Sequence, residues 1–196
     1  MDPLLVVKMG GSLIGQAKEI ITVIQESHRP ILVVPGGGPF ADMVRSYNLP
    51  DDTAHWMAIA AMDQFGWYIA SLGLEPCNSL ILQKRHQVLL PYCLMREKDP
   101  LPHTWEVSSD TIAAWIASEM GAELAVLKSV DGICSHGNII PLLREPVICD
   151  EVDPHFLPFV LSHRIPCTIL NASDPTRLSA FLRGLQVTAT RVDTRF

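Results

Sequence analysis

The chain has 196 residues, 48% of them apolar and 18% charged, with a formal net charge of −6. It is long enough for one domain or a tight two-lobed one, and apolar enough for a sheet covered on both faces. An acidic balance without a basic run offers no duplex-binding surface, so nucleic acid is not expected as a partner, although a nucleotide needs only a local positive site.

Leu4 to Met9 (LLVVKM) reads as a buried strand ending at Gly10-Gly11-Ser12. Residues 16–27 read as a helix, with Ile20, Ile21, Val23 and Ile24 on or near one face. Ile31 to Val34 is a second buried strand running into Pro35-Gly36-Gly37-Gly38, and Pro39 suits the first turn of another helix. The longest helical pattern covers 54–72, where Met57, Ala61, Phe65, Ile69 and Leu72 form a stripe beside Trp56, Ile59 and Met62. A helix this broadly apolar is deeply buried or lies at a subunit interface, so a homodimer or higher homo-oligomer is expected.

Leu80 to Leu82 and Val88 to Leu90 suggest short strands, and residues 97–106 a proline-broken loop. Ser108-Ser109-Asp110 can cap a helix whose inward face carries Ile112, Ile116 and Met120, and which Gly121 stops. Leu124 to Leu127 reads as a strand, followed by Lys128-Ser129-Val130-Asp131-Gly132. Ser135 to Asn138 suggests a turn between short strands. Thr168 to Leu170, Pro175 to Leu182 and Thr188 to Val192 complete the pattern as strand, helix and strand. This alternation implies an α/β fold with a mainly parallel sheet and helices on both faces. Ligands bind such sheets beyond the carboxyl ends of the strands, where both glycine loops fall.

The five cysteines are scattered with no CxxC pair, which suits reduced thiols, and no pair of histidines has zinc-site spacing. No apolar run reaches membrane-spanning length, and no secretory leader follows Met1-Asp2-Pro3. A cytoplasmic protein without a membrane partner is therefore expected.

Three clusters carry chemistry. Lys8-Met9-Gly10-Gly11-Ser12 can cradle phosphates, because glycines let backbone N–H groups approach an anion and Lys8 adds a full charge. Read alone, it is equally a tight turn beside a solvated lysine. Gly36-Gly37-Gly38 makes sense where an acceptor anion touches backbone, since three consecutive glycines are entropically unfavourable in an ordinary turn. The third cluster joins Ser108-Ser109-Asp110-Thr111 to the segment from Lys128 to Gly132. Taken singly, Asp110 is a helix cap and Asp131-Gly132 a turn. No GxxxxGK[ST], GxGxxG, HRD or DFG occurs, so the P-loop, dinucleotide-binding and protein-kinase patterns are absent.

KMGGS, VPGGGPFA, SSDTIAAWIA and LKSVDGI, in this order and with these gaps, resemble the amino acid kinase superfamily across nearly the whole chain. The resemblance implies a three-layer αβα sandwich and phosphoryl transfer from magnesium ATP to a small anionic acceptor. It also implies one domain over 1–196, with an acceptor-binding part to about 107 and a nucleotide-binding part from about 108. On that reading Gly10, Gly11 and Ser12 hold the ATP phosphates, with Lys128, Ser129, Asp131, Gly132 and Ile133 along the nucleotide. Gly36, Gly37, Gly38 and Ser109 hold the acceptor. Lys8 stabilises the transferred group and Asp110 orients Lys8.

Many members carry a second catalytic lysine well after the DG turn, whereas Lys128 is the last lysine here. Either Lys128 or Arg144 supplies that charge, or the role is lost; Lys128 is the choice, set against a lysine that only contacts the nucleotide base or solvent. Ala54 to Gln64 and the short length resemble, more narrowly, the kinases that phosphorylate an aminomethylfuran phosphate in methanofuran biosynthesis. His55 would then bind the acceptor phosphate and Asp63 its ammonium group, set against a helix-start histidine and a solvated aspartate. Kinases acting on UMP, isopentenyl phosphate or amino acids are the alternatives within the superfamily. A nucleotide-binding sensor without turnover is the alternative from another class.

Overall fold

The computed structural model of the protein describes residues 2–194; Met1, Arg195 and Phe196, which the expected domain span includes, lie outside the described residues. The chain begins with β1 (Leu5–Met9), a 3₁₀ segment over Gly11–Gln16, α1 (Ala17–Gln25), β2 (Ile31–Pro35), α2 (Gly38–Ser46) and α3 (Asp51–Ser71). Next come β3 (Glu75–Cys77), β4 (His86–Leu89), α4 (Tyr92–Lys98), α5 (Ser109–Glu119) and β5 (Glu123–Lys128). A small hairpin of β6 (Cys134–Ser135) and β7 (Asn138–Ile139) precedes β8 (Leu142–Leu143) and α6 (Phe156–Ser162). The chain ends with β9 (Cys167–Asn171), α7 (Pro175–Leu182) and β10 (Ala189–Val192).

Eight strands form one sheet in the order β3-β4-β2-β1-β5-β9-β10-β8. Pairing is parallel from β3 to β9; β10 runs antiparallel to β9, and β8 pairs parallel with β10. β1 and β2 are buried along their whole length because both faces of the sheet are covered. Leu5, Val7 and Met9 of β1 face a core with Ile20, Ile21 and Ile24 of α1 and Leu178 of α7. Val6, on the opposite face, packs with Ile112, Ala113 and Ile116 of α5 and Phe156 of α6. The result is three layers, with two cores that follow from the alternation of side chains along each strand.

Helix α3 contributes to both cores, through Phe65 and Ile69 on one side and Ile59 and Met62 on the other. Met57, expected in the buried stripe, is instead 37% exposed, beside Trp67 at 58% and Tyr68 at 39%. The buried side of the helix is rotated away from Met57 because α3 packs on β2, β4 and α4 at once.

Other elements also differ from expectation. Leu80 to Leu82 form no strand; Ile81 is 76% exposed. The Gln87 side-chain oxygen accepts from Gln83 N at 2.7 Å and Lys84 N at 3.1 Å, bending this segment into a turn. The edge strand is Glu75–Cys77, and Val88–Leu90 shifts to His86–Leu89. Glu97 and Lys98 belong to α4, which ends where Asp99 adopts a left-handed conformation, φ 43°. The turn over 135–138 is found as expected, with His136 and Gly137 both at positive φ. Among the described residues, no helix is long and apolar enough to cross a membrane.

Candidate active site

The site grows out of strand parity. Lys8 shares the face of Val6 on β1, toward α5. On the neighbouring strand Lys8 pairs with Val126, and Lys128 lies two residues further on, on the same face. Both lysines therefore emerge at the carboxyl end of the sheet, under the start of α5, where Asp110 sits in the first helical turn. The Asp110 carboxylate receives Lys8 Nζ at 2.7 Å on one oxygen and Lys128 Nζ at 2.6 Å on the other. Lys8 and Asp110 are buried and Lys128 is partly so.

Two ammonium groups thus share one directly contacting carboxylate in a desolvated place, with Asp153 a further negative charge that acts on Lys8. Burial pulls the Lys8 pKa down to about 8; Asp110 opposes that shift and Lys128 adds to it. Burial acts to raise the Asp110 pKa, but the two lysines together outweigh it and hold the carboxyl below its usual range.

The glycine loops meet directly above this triad. Gly36 N donates to the Met9 carbonyl at 2.8 Å, and Gly10 N to the Leu127 carbonyl at 3.3 Å. A Cβ on Gly11 would lie 2.1 Å from Gly38 Cα and 2.6 Å from Gly38 N, so the loops touch backbone to backbone. Gly38, at φ +54°, opens α2 in a conformation that favours glycine. A Cβ on Gly36 would come within 3.3 Å of Ser109 Oγ, which places Ser109 at the same junction. Gly11→Ala is expected to push the loops apart and lower kcat/KM by about 10²-fold or more, measured by ADP release. Near-parental turnover would mean that this contact does not set the site's geometry.

Asp153 is a site residue that the sequence reading missed. Its carboxylate accepts from Ser108 N (3.1 Å), Ser108 Oγ (2.8 Å), Thr111 N (3.1 Å), Thr111 Oγ1 (2.6 Å) and His155 N (3.2 Å). Ser108 Oγ in turn accepts from Asp110 N at 3.2 Å as the N-cap of α5. Asp153 therefore ties down the turn that carries Ser109 and Asp110. Asp153→Ala is expected to lower stability by about 3 kcal/mol, read from urea denaturation. An unchanged midpoint would show that water replaces these bonds without loss.

On the segment that follows β5, Ser129 is exposed. The Asp131 carboxylate takes Asn171 Nδ2 at 3.0 Å and the Arg177 guanidinium, which with Asn171 holds its pKa down. Gly132, at φ +147°, passes so close to Thr190 that a Cβ would sit 2.5 Å from Oγ1. Ile133 is fully buried, and its N–H donates to Thr190 Oγ1 at 2.8 Å. Its side chain thus packs in the core and does not reach an open surface.

A small cavity lies between α2, α3 and the segment leading to α5. Its lining includes Gly37, Arg45, Asp51, His55, Trp105 and Ser109. His55 is in this wall, but burial, followed by the neighbouring His103, pulls its pKa down to about 4. A neutral imidazole can hydrogen-bond a phosphate but supplies no positive charge. Asp63 is drawn elsewhere: its carboxylate accepts from Tyr92 N at 3.0 Å at the start of α4. It is not among the residues that line the cavity. Arg144 sits at the other end of the sheet, in a cleft with Leu5, Glu123 and Cys167 at the strand amino ends. It pairs there with Asp193 at 3.3 Å, so of the two candidates for the second cation only Lys128 is at the site.

Apposed glycine loops, two convergent lysines and a parallel sheet ending beneath them define a phosphotransferase for small anionic molecules. Residues 3–89 match the family model described as the amino acid kinase family. The chain is 27% identical to the [5-(aminomethyl)furan-3-yl]methyl phosphate kinase of Methanocaldococcus jannaschii, over 91% of this chain and 93% of the relative. The fold is shared with the UMP kinase of Ureaplasma parvum, with a TM-score of 0.76 at 14% identity over 98% of this chain and 99% of that one. It is shared too with the uridylate kinase of Archaeoglobus fulgidus, with a TM-score of 0.69 at 16% identity over 96% and 99%.

Proposed function

We propose that the protein transfers the γ-phosphoryl group of magnesium ATP to [5-(aminomethyl)furan-3-yl]methyl phosphate, forming the diphosphate in methanofuran biosynthesis. The convergence of Lys8 and Lys128 on Asp110, beneath the junction of the glycine loops, is the observation that carries the transfer. The similarity to the M. jannaschii kinase along nearly the whole of both chains supports the acceptor.

In this reading the backbone of Gly10, Gly11 and Ser12 receives the ATP phosphates, with Ser129, Asp131 and Gly132 along the nucleotide. Gly36, Gly37, Gly38 and Ser109 receive the acceptor phosphate, and His55 contributes a neutral hydrogen-bonding wall. The acceptor part therefore corresponds to about 1–107 and the nucleotide part to about 108–196. Lys8 neutralises the equatorial oxygens in transit, Lys128 supplies the second cation, and Asp110 holds both ammonium groups in place. A phosphate monoester is already ionised near neutral pH, so no side chain has to remove a proton. Magnesium enters as part of the nucleotide substrate, since the central carboxylate, Asp110, is already occupied by the two lysines.

The test is ADP release with magnesium ATP against the aminomethylfuran phosphate, isopentenyl phosphate, UMP, acetylglutamate, aspartate and no acceptor. Release with the furan phosphate alone, and a diphosphate product by mass spectrometry, is expected. Release with another acceptor replaces the substrate and keeps the chemistry. ATP binding without release from any of them points to a nucleotide sensor.

The exposed Met57, Trp67 and Tyr68 face of α3 supports assembly as a homodimer. Sedimentation equilibrium at micromolar protein is expected to give twice the chain mass, and Trp67→Glu to shift it to the monomer. A monomeric parent chain would remove this assignment.

A further inference from the structure

We propose that His103 is a positioning residue for the acceptor cavity, acting as an imidazolium that ties the 99–107 segment to the start of α3. The inference rests on the reading of that cavity as the acceptor site. His103 Nδ1 lies 2.7 Å from Asp52 Oδ1, and Nε2 lies 2.8 Å from Asp99 Oδ1. A neutral imidazole has a single N–H, so it can donate to one carboxylate only and turns a lone pair on the other. Only the cation satisfies both contacts.

These two carboxylates belong to different elements. Asp52 is in the first turn of α3, and Asp99 is the left-handed cap of α4. Immediately after His103 come Thr104, Trp105 and Val107, which form one wall of the cavity; Asp51 and His55 of α3 stand on the other side. The ring of His103 is therefore the clasp between the two walls. Arg45 of α2 adds a second crossing, with its guanidinium 5.1 Å from the centre of the Trp105 ring.

The surroundings of the ring suit a cation. His55 stacks on it with centroids 4.1 Å apart and an interplanar angle of 19°, and the low pKa of His55 keeps that neighbour neutral. Trp56 meets the ring edge-on at 5.0 Å. Arg96 lies over the Trp56 ring at 4.3 Å. The hydrogen bonds to Asp99 and then Asp52 raise the His103 pKa above 6.5, against a smaller opposing effect of burial. A raised pKa means that the clasp is complete below pH 6.5 and is lost as pH rises through the folded-state value.

The experiment joins kinetics to NMR. In the parent enzyme, the KM for whichever acceptor is turned over should rise as pH passes the His103 midpoint, itself read from its Cε1–H resonance. His103→Gln should raise that KM about five- to tenfold at pH 6.5, leave the KM for ATP within about twofold, and abolish the pH-dependent rise. Asp99→Asn, which keeps the ring and one carboxylate, should lower the midpoint and show an intermediate KM.

The Trp105 indole N–H resonance should follow the His103 midpoint in the parent chain and show no such transition in His103→Gln. That readout needs no acceptor, so it decides the clasp even where the furan phosphate proves not to be the substrate. A midpoint at or below 6.5, a Trp105 signal indifferent to it, or equal rises in both KM values would overturn the proposal.

Discussion

Lys8→Met should lower kcat by about 10³-fold and leave the folded protein at least as stable as its parent. The two effects are expected to part because of the charge count at the site. Lys8 is buried beside a carboxylate that Lys128 also neutralises, so two ammonium groups share one directly contacting carboxylate before any substrate arrives. Burial already pulls the Lys8 pKa down to about 8, which reflects the strain of holding that charge out of water. Methionine fills a similar volume without the charge. The Lys128–Asp110 pair that remains is balanced.

The pH dependence makes a second check on the same substitution. The unfolded chain keeps a proton on Lys8 up to about 10.5, whereas the folded chain gives it up from about 8. Between these values the unfolded state binds more protons, so stability of the substrate-free protein should rise with pH through this window. Lys8→Met should flatten that rise. A variant that unfolds easily, or that retains kcat, would show that Lys8 is there for the fold and not for the transferred group.

Asp110→Asn should be the most destabilising change at the site, by about 3–5 kcal/mol at neutral pH. It removes the carboxylate that both ammonium groups contact directly, while they stay close together. Urea denaturation reads the loss directly. The Asp110 pKa is held below its usual range, so in the parent chain this stability is present above about pH 4 and fades as acid protonates the carboxyl. The variant should lack that acid-side decline. It should also lose kcat by about 10²-fold or more, because Lys8 is released from its position and its pKa falls further without Asp110. Combining Lys8→Met with Asp110→Asn should recover much of the stability, since a lone, partly solvated Lys128 remains. Additive losses in that double variant would mean that the two residues do not share one electrostatic cluster.

Much of the sheet and of the phosphate cradle was legible in local sequence. Each glycine loop directly follows an apolar run, and that order alone places it at a strand's carboxyl end. Ser108 before Asp110 carries its cap signal in the sequence, and the cap bond is present. Less legible were the two-residue β8 and the exposed-edge β3, which are too short to show a period of two. The helix α4 was hidden for a related reason: it spans only Tyr92 to Lys98 and borrows its N-terminal acceptor from Asp63, far away in the chain.

Sequence by itself marked the candidates for the chemistry: two glycine loops, a lysine ahead of the first, and an aspartate in the first turn of a later helix. These are local signals, set by backbone freedom, hydrophobic period and capping. Tertiary structure decided how they combine. Parallel register put Lys8 and Lys128 on one face beneath one carboxylate, drew Asp63 away to cap α4, and left Arg144 at the wrong end of the sheet. It also brought Asp153 and His103 to segments that nothing in their own neighbourhoods names as partners. The physical reason is that a polar side chain's role is fixed by the charges and donors folding brings to it, and these come from parts of the chain that local pattern cannot connect.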